Sequence, residues 1–524
     1  MKLKRKGMVW MEKPIYELIK EAINEDGMLS ADFSLPKEDD GNKIRFADGA
    51  MDGIMMFHSN ISSDTESEEY KQIINAIELA NKGERENAKK VIHEFAVKGH
   101  MLPHIDDVQN YIIEHKDELD TKNVYDFAMD LILSGTKSEA VKVGMSIMEL
   151  FNTNNNQEFK EVIRSLALND EFTLYSGYLM RGWDNDNQEI FEAVKKVKGW
   201  GRVFLVNSFL EPENEEIKHW ILLNGVDNEV LPNYSAIDCY THTNLLERLE
   251  EPMTIEEYRG AASIISALLD DEPEPGISAI KDANKLLETF IQKTIQREEL
   301  EAGDYSLIYR IMMYAKEQSD AFVNIYNQAK DILYSDSVLQ VIKEALNQGN
   351  AVEFELARDL GIDYKEQAYH SLLEDFETNF QLASLLMQDN YRLDDIIQLI
   401  SEKLEVDKLC TGSKDEIGLG EEFSCYRMLS YLLQFLSPYS GKGIELIKSA
   451  LRMPVVNCRF TALRVIEQWV EIEQKPLKVS FPELYQYLRD ILPEEVREDA
   501  QKKMKALIEG TNEPQGITIH KKDE

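Results

Sequence analysis

Apolar residues recur every three or four positions along most of the chain after Tyr70, which is the spacing of one face of an α-helix. One such series consists of Ile255, Tyr258, Ala262, Ile265 and Leu269. It follows Thr254, and Glu257 stands three residues after that threonine, so we expect a capping box at the start of the helix. No alternating run of β-branched residues is long enough to predict a strand. The pattern therefore predicts an all-α protein.

The predicted helices are about 10–18 residues long and come in pairs separated by short polar breaks. Four consecutive segments show this most clearly: 185–198, 199–210, 211–225 and 233–250. Two helices over about 35–45 residues are typical of HEAT and armadillo repeats. We therefore predict a helix-pair repeat, a HEAT- or armadillo-like α-solenoid with an irregular N-terminal segment, and keep a globular helix bundle as the alternative.

Breaks in the apolar pattern divide the chain into four predicted regions. These are an N-terminal helix plus irregular segment (1–62), a helical-repeat domain (63–272), a second helical-repeat domain (273–510) and a polar tail (511–524). The first helix is predicted over 14–24, and Ser63 with Glu66 predicts a capping box after the polar run 59–69. Met11 opens a more ordinary N-terminal sequence than Met1 does, so the first ten residues are interpreted as an extension or a misassigned start.

The charge is strongly one-sided, with 96 acidic against 58 basic residues and a formal net charge of -38. Nucleic acids and anionic membrane surfaces attract basic proteins, so this field argues against both as partners. Small neutral ligands and basic partner proteins remain possible. The chain has neither the apolar core of a secretory signal nor the run of about 20 apolar residues that spans a membrane. We therefore expect a cytoplasmic protein.

Local patterns for metal, haem and thiol chemistry are incomplete. The four cysteines (Cys239, Cys410, Cys425 and Cys458) are far apart and are expected to be free thiols. Glu216 and His219 form a single Glu-x-x-His pair, whereas a di-iron site uses two. Four histidines lie close in sequence and are interpreted as polar surface residues, with a metal site as the alternative: His93, His100, His104 and His115. We predict no metal ligand and no catalytic residue from spacing.

Two glycine pairs resemble fragments of phosphate-binding loops. The first is Gly199 with Gly201 in GWGR, and the second is Gly418 with Gly420 in GLGE. Neither has the third glycine or alanine of a dinucleotide fingerprint, and neither follows a predicted strand. We expect a tight turn between helices at Gly199 and Gly201, with Trp200 as a packing residue, and a break between helices at 412–421. A larger aromatic set is predicted to be core, or alternatively the lining of an apolar pocket: Tyr175, Tyr178, Trp183, Trp200 and Trp220.

Two stretches resemble a bacterial family whose members are named limonene hydroxylase. The stretch 14–58 is similar to the opening of that family, and 199–225 is similar to its HEAT-like helical body. The resemblance rests on DGAMDG, with Asp48, Gly49, Asp52 and Gly53, and on GWGR, with Trp200 and Arg202. It implies hydroxylation of limonene to carveol or perillyl alcohol by oxygen and NAD(P)H, with dehydrogenation of these alcohols as a further activity. No catalytic or cofactor-binding residue carries over from it.

Two hypotheses follow, and they predict different sites. An oxygenase for a small apolar terpene requires a redox cofactor and a closed, aromatic-lined cavity of about 300–1,000 Å³. A non-catalytic helical-repeat scaffold for protein–protein interaction requires an open face with clustered charge. Sequestration of a basic partner is a third idea, based on the net charge alone.

Overall fold

The structure is a computed structural model that describes residues 13–30, 33–36, 46–59, 64–348 and 351–510. Met11, Ser63 and the predicted tail 511–524 lie outside these ranges. Within them the chain forms thirty α-helices, short 3₁₀ segments and turns, and no β-strand. The all-α prediction is confirmed. In the described part of the chain, no helix is long and apolar enough to cross a bilayer.

The helices of the first part of the chain are short and follow one another closely. They are α1 (Ile15–Ala22), α2 (Ala50–His58), α3 (Glu68–Asn81), α4 (Arg85–Phe95), α5 (Ile105–Glu114), α6 (Thr121–Ser134), α7 (Ser138–Met148), α8 (Gln157–Leu166), α9 (Asp170–Arg181), α10 (Asp186–Val194), α11 (Gly199–Val206), α12 (Glu215–Asn224), α13 (Ala236–His242), α14 (Leu245–Glu250), α15 (Ile255–Leu268) and α16 (Ala283–Ile295).

The later helices have similar lengths. They are α17 (Tyr305–Glu317), α18 (Val323–Leu333), α19 (Asp336–Ala345), α20 (Ala351–Asp359), α21 (Lys365–Glu374), α22 (Phe376–Gln388), α23 (Leu393–Lys403), α24 (Val406–Leu409), α25 (Ser424–Leu433), α26 (Ile444–Ala450), α27 (Val456–Glu473), α28 (Leu477–Ser480), α29 (Pro482–Ile491) and α30 (Glu498–Glu509).

The chain divides into two compact units. The first contains the chain up to Glu299 together with Arg310–Ala329, and the second contains Leu300–Tyr309 together with the chain from Lys330 onward. The boundary that the sequence predicts between residues 272 and 273 therefore lies inside the first unit. The N-terminal segment belongs to the first unit as well, because α1 packs against α6 and α8.

Helix starts follow local capping chemistry. The predicted capping box of α15 is present: Thr254 Oγ1 accepts from the Glu257 backbone N–H, and Glu257 accepts from the Thr254 backbone N–H. The capping box predicted at Ser63 and Glu66 is wrong, because the helix begins farther along the chain. Helix α3 begins at Glu68, and Ser67 caps it by accepting from the Tyr70 N–H at 3.1 Å. Glu66 precedes that cap, so it cannot be the third helical residue.

The second unit buries one ion pair completely. The Arg459 guanidinium donates to Glu495 at 2.9 and 3.1 Å, and to the carbonyl oxygens of Met453 and Pro454 at 2.7 and 2.9 Å. Both charged side chains are almost fully buried. These bonds give each buried charge hydrogen-bonding partners, which a buried ion pair needs to offset its desolvation.

Candidate functional site

Helix α2 lies across a row of helices of the first unit. Helices α7, α9 and α11 pack side by side in that order, followed by the 3₁₀ segment Pro232–Ser235. Asp52 of α2 contacts α7, the backbone N–H of Gly49 donates to Glu171 of α9 at 2.8 Å, and Gly53 lies against Trp200 of α11. The DGAMDG and GWGR motifs, far apart in sequence, therefore form one contact surface.

A buried charge cluster joins α2 to this row. The Lys142 ammonium lies 2.7 Å from Glu171 Oε1, 2.9 Å from Asp52 Oδ2 and 3.0 Å from Glu139 Oε1. Lys142 and Asp52 are each 1% exposed. His100 Nδ1 lies 3.7 Å from Glu139 Oε1, the oxygen that Lys142 also contacts. One buried ammonium is thus shared by three carboxylates, of which Glu171 is partly exposed.

The cluster shifts the pKa values of its members in opposite directions. Burial disfavours the Lys142 ammonium, but Glu139, Glu171 and Asp52 together raise the pKa of Lys142 well above its ordinary value. Burial also raises the pKa of Asp52 to about 6, because the attraction of Lys142 is offset by repulsion from Glu139 and Glu171. A hydrogen bond to Glu139 raises the pKa of His100. Lys142 is therefore a permanent cation, and the pKa of Asp52 is raised.

Glu139 is a stronger acid than Asp52. Burial alone would raise the pKa of Glu139, but Lys142, His100 and the backbone N–H of Met101 lower it to about 2. That N–H donates to Glu139 Oε2 at 2.7 Å. Tyr175 closes the cluster, with its ring centre 5.6 Å from the Lys142 nitrogen, and burial raises the pKa of Tyr175 well above its ordinary value.

Asp52 makes the stability of the protein depend on pH. The folded state binds the proton of the Asp52 carboxyl more tightly than the unfolded chain does. The resulting contribution to the free energy of unfolding is fully present below about pH 4 and is lost as pH rises through about 6. The side chain of Asp52→Asn cannot ionise, so the variant does not lose this contribution. From pH 4.5 to pH 7.5 we expect its free energy of unfolding to rise by about 2 kcal/mol relative to that of wild type. Urea unfolding at both pH values measures it. For the exposed control Asp117→Asn, the free energy of unfolding should change with pH as it does in wild type. The same pH dependence in Asp52→Asn would contradict the prediction.

Aromatic rings hold the other face of α2. Phe57 stacks on Tyr234 with ring centres 4.4 Å apart, and Tyr234 lies 5.2 Å from the Trp200 ring centre. His58 Nε2 is 2.6 Å from the Tyr234 hydroxyl oxygen. At Gly53 a Cβ atom would lie 2.2 Å from the Trp200 ring, so only glycine allows this approach. The prediction that Trp200 is a packing residue is confirmed, and α2 is the element it packs against.

The start of α11 is occupied by a carboxylate of the protein itself. Asp170 accepts hydrogen bonds from the backbone N–H groups of Gly201 and Trp200, and a Cβ at Gly201 would lie 2.5 Å from Asp170 Oδ1. Burial raises the pKa of Asp170 to about 7 against these bonds. Asp170 thus takes the position at a helix N-terminus that a phosphate would need. The tight turn between helices predicted at Gly199 and Gly201 is wrong, because GWGR forms the first turn of α11.

An open cleft of about 570 Å³ adjoins α2. Its lining combines apolar and acidic side chains around one arginine: Met56, Leu102, Pro103, Ile105, Asp106, Asp107, Gln109, Glu149, Tyr178 and Arg181. Gln109 donates to Glu149 at 2.8 Å, and Arg181 donates to the carbonyl oxygens of Ser208 and Asn207. Burial, with repulsion from Asp106, raises the pKa of Glu149. The cleft therefore combines crowded negative charge with apolar side chains.

The histidines that lie close in sequence are separated in the structure. His93 is exposed, His100 belongs to the charge cluster, and His115 stacks on Tyr111 at 4.2 Å. His104 is 4% exposed with Nε2 3.5 Å from Glu69, so its interpretation as a surface residue is wrong. The residues that the structure describes contain no group of three or more His, Cys, Asp or Glu side chains that could hold a metal ion.

The remaining residues singled out by sequence have structural roles. Tyr175, Trp183 and Trp200 are buried as predicted, whereas Tyr178 lines the cleft. Arg202 donates to the carbonyl oxygens of residues 197 and 227 and lies over the Trp220 ring at 5.5 Å. His219 pairs with Glu257 at 3.3 Å. All four cysteines are free thiols, and Cys239 and Cys458 are buried.

Sequence reasoning missed Lys142, Glu139 and Glu171. A signal was present for the first, because Lys142 interrupts AVKVGMSIM, a run apolar on all sides of a helix and therefore expected to be buried. A lysine in such a run requires a carboxylate partner. Its three partners come from α2, α7 and α9, and no spacing in the sequence indicates that they meet.

The known proteins add no identification. No protein-family model matches the chain. No curated protein matches it significantly either.

Proposed function

We propose that this protein is a non-catalytic α-helical repeat scaffold that binds a basic, partly apolar segment of a partner protein in the cleft beside α2. The observation that carries the proposal is the lining of that cleft. Asp106 and Glu149 line it together with Leu102 and Ile105, and Arg181 already donates hydrogen bonds to two carbonyl groups. A lysine or arginine of a partner would relieve the repulsion among these carboxylates.

The arrangement of the helices supports a repeat scaffold. Helices α3 and α4 pack as a pair, as do α6 and α7, and the row α7, α9, α11 places every second helix on the same side. This is the order expected of stacked helix pairs. Helix α2 lies on that row as a bound helix does in a helix-in-groove complex. The row is thus a surface suited to peptide recognition.

Binding of defined peptides to the full-length protein tests the proposal. The probes are fluorescein-labelled 12-residue peptides of repeating Lys-Leu-Ser and Glu-Leu-Ser, measured by fluorescence polarisation at physiological ionic strength. We expect the lysine peptide to bind at least about tenfold more tightly than the glutamate peptide. The double variant Asp106→Asn, Glu149→Gln should weaken lysine-peptide binding about tenfold, because it removes two charge-assisted contacts.

A second double variant controls for the overall negative field. Glu94→Gln with Glu256→Gln makes the same charge change at two exposed positions away from the cleft. It should alter the affinity by less than about twofold, because exposed charges farther away than about 8 Å are largely screened at this ionic strength. An equal loss in both double variants would assign binding to the net charge and overturn the cleft as the site.

Oxidation of limonene is the second candidate function. Its support is that the two stretches carrying the family resemblance meet in space, where Gly53 contacts Trp200. The residues at Gly199 and Gly201 do not fit the phosphates of NAD(P)H, because Asp170 fills that helix N-terminus. The cleft beside α2 is open and acidic, whereas this function predicts a closed, aromatic-lined cavity.

An absorption spectrum and metal analysis of the purified protein, followed by turnover of limonene with NADPH, test this candidate. A flavin or haem band, or near-stoichiometric iron or copper, together with formation of carveol or perillyl alcohol, would favour it over the scaffold. A colourless, metal-free protein that gives no product would contradict self-contained oxygenation.

A further inference from the structure

The second unit contains a cleft of different chemistry. It has a volume of about 570 Å³ and is formed at α22, α25 and α27, which pack in succession, and at the segment that follows α25. Its lining consists of Gln388, Gln434, Phe435, Ser437, Pro438, Tyr439, Thr461, Arg464, Val465 and Gln468. This lining contains no Asp or Glu, although the chain as a whole has 96 of them.

Arg464 is the only charged residue in this lining. Its side chain is exposed and forms no ion pair or hydrogen bond within the part of the chain that the structure describes. By contrast, the neighbouring Glu467 is paired with Lys503 at 3.0 Å. A guanidinium has a planar fork of donors that matches a carboxylate in a bidentate pair. The fork of Arg464 is therefore available to a carboxylate from outside the chain.

Three amide side chains surround the arginine. Gln468 follows Arg464 by one helical turn on α27, whereas Gln388 ends α22 and Gln434 directly follows α25. The side chains of Gln434 and Gln468 have no hydrogen-bond partner among the described residues, and Gln388 donates to the Ser384 carbonyl at 3.2 Å. An amide has both donors and an acceptor, so it can pair with the peptide groups of an extended chain.

Apolar side chains complete the surface. Phe435 and Val465 line the cleft, and Tyr431 beside it is 37% exposed with its ring centre 5.3 Å from that of Phe435. Aromatic residues and arginine are the side chains that contribute most to binding energy in protein interfaces. The cleft thus combines an anion receptor, amide groups and an apolar contact.

We infer that this cleft binds an extended segment of a partner protein that carries a glutamate or aspartate side chain beside an apolar residue. The carboxylate pairs with Arg464, the amides bind the peptide groups of the segment, and the apolar side chain packs on Phe435 and on Tyr431 beside it. This site lies in the second unit and does not depend on the acidic cleft of the first unit. The negative field of the whole chain opposes an acidic ligand, but beyond about 8 Å it is screened at physiological salt, so the local pair decides.

Peptide binding to the full-length protein at physiological ionic strength tests the inference. The probes are labelled 12-residue peptides of repeating Glu-Leu-Ser and Gln-Leu-Ser, which differ only in charge. We expect the glutamate peptide to bind at least about tenfold more tightly to wild type, and Arg464→Gln to abolish this preference. Arg464→Lys should restore only part of it, because an ammonium lacks the planar fork.

Controls separate this site from general electrostatics and from other occupants. Arg489→Gln makes the same charge change at an exposed arginine of α29 and should leave the affinity within about twofold. An equal effect of both arginine substitutions would overturn the assignment. So would tighter binding of a phosphoserine peptide than of Glu-Leu-Ser, loss of Lys-Leu-Ser binding in Arg464→Gln, or concentration-dependent self-association that Arg464→Gln removes. Binding of Glu-Leu-Ser by the variant Asp106→Asn, Glu149→Gln should equal that of wild type, so the two clefts can be judged separately.

Discussion

Replacing Lys142 with methionine should lower the free energy of unfolding by about 3–5 kcal/mol. The substitution keeps the volume of the side chain but leaves Asp52 and Glu139 buried, and Glu171 partly buried, with no lysine among them. Breaking a buried charge pair from one side costs this much because the remaining charges stay desolvated. Urea unfolding followed by circular dichroism at pH 7.5 measures the change.

A second substitution shows whether repulsion causes the loss. Adding Asp52→Asn to Lys142→Met removes one of the stranded carboxylates and should recover about 1–2 kcal/mol. Lys122→Met serves as the exposed control, since its pair with Asp126 lies on the surface and should contribute less than about 1 kcal/mol. A loss of under about 1 kcal/mol for Lys142→Met would show that water reaches the cluster and would contradict the burial described above.

Replacing Gly53 with leucine should detach α2 from the helix row and lower the free energy of unfolding by about 3 kcal/mol or more. The Cβ alone would lie 2.2 Å from the Trp200 ring, and that ring is held between Phe57 and Phe204. We therefore expect the indole to stay in place and α2 to be displaced. We expect a red-shifted tryptophan emission and faster proteolysis next to α2, in addition to the lower unfolding free energy.

Gly303→Leu provides the matched control for this substitution. A Cβ at Gly303 would meet no atom within 4 Å, so the same change of residue type should shift the unfolding free energy by less than about 1 kcal/mol. Gly53→Ala should fall between the two, because it adds the clashing Cβ without the rest of the side chain. Unchanged tryptophan emission in Gly53→Leu would contradict the packing of α2 on Trp200.

A displacement of α2 should also change the acidic cleft, because Met56 of α2 lines it. Gly53→Leu should therefore also change the affinity for the lysine peptide, whereas Gly303→Leu should not. The direction of that change distinguishes two roles of α2. Weaker binding would make α2 part of the peptide-binding surface, and tighter binding would make it a competitor for the same surface.

Much of the helix content could be predicted from the sequence, because it depends on local interactions. The apolar series from Ile255 and the capping box at Thr254 both act within a few residues, and both are found in α15. The first helix was also predicted to within two residues of its observed end at Ala22. The cap of α3 was assigned to Ser63 and not to Ser67, because several serines in a polar run offer equally good local caps.

The candidate sites depend on contacts that no local pattern encodes. DGAMDG and GWGR were singled out in the sequence, but their meeting at Gly53 and Trp200 joins residues almost 150 positions apart. The same holds for Asp170, whose carboxylate occupies the start of α11, and for Lys142, whose partners lie on three helices. The histidines show the reverse case, because nearness in sequence between His93 and His115 did not bring them together.

The sequence by itself determined that this protein is all-α, strongly acidic and without a complete local motif for a metal or a nucleotide. Those properties follow from periodicity, composition and spacing, each of which acts over one or two helical turns or over the whole chain. Only the tertiary structure decided which charges are buried, which glycine is needed for packing, and where the acidic and the carboxylate-free clefts lie. The physical reason is that burial and electrostatic pairing depend on which helix faces meet, and helices of similar apolar pattern can pack in many ways until side-chain shape selects one.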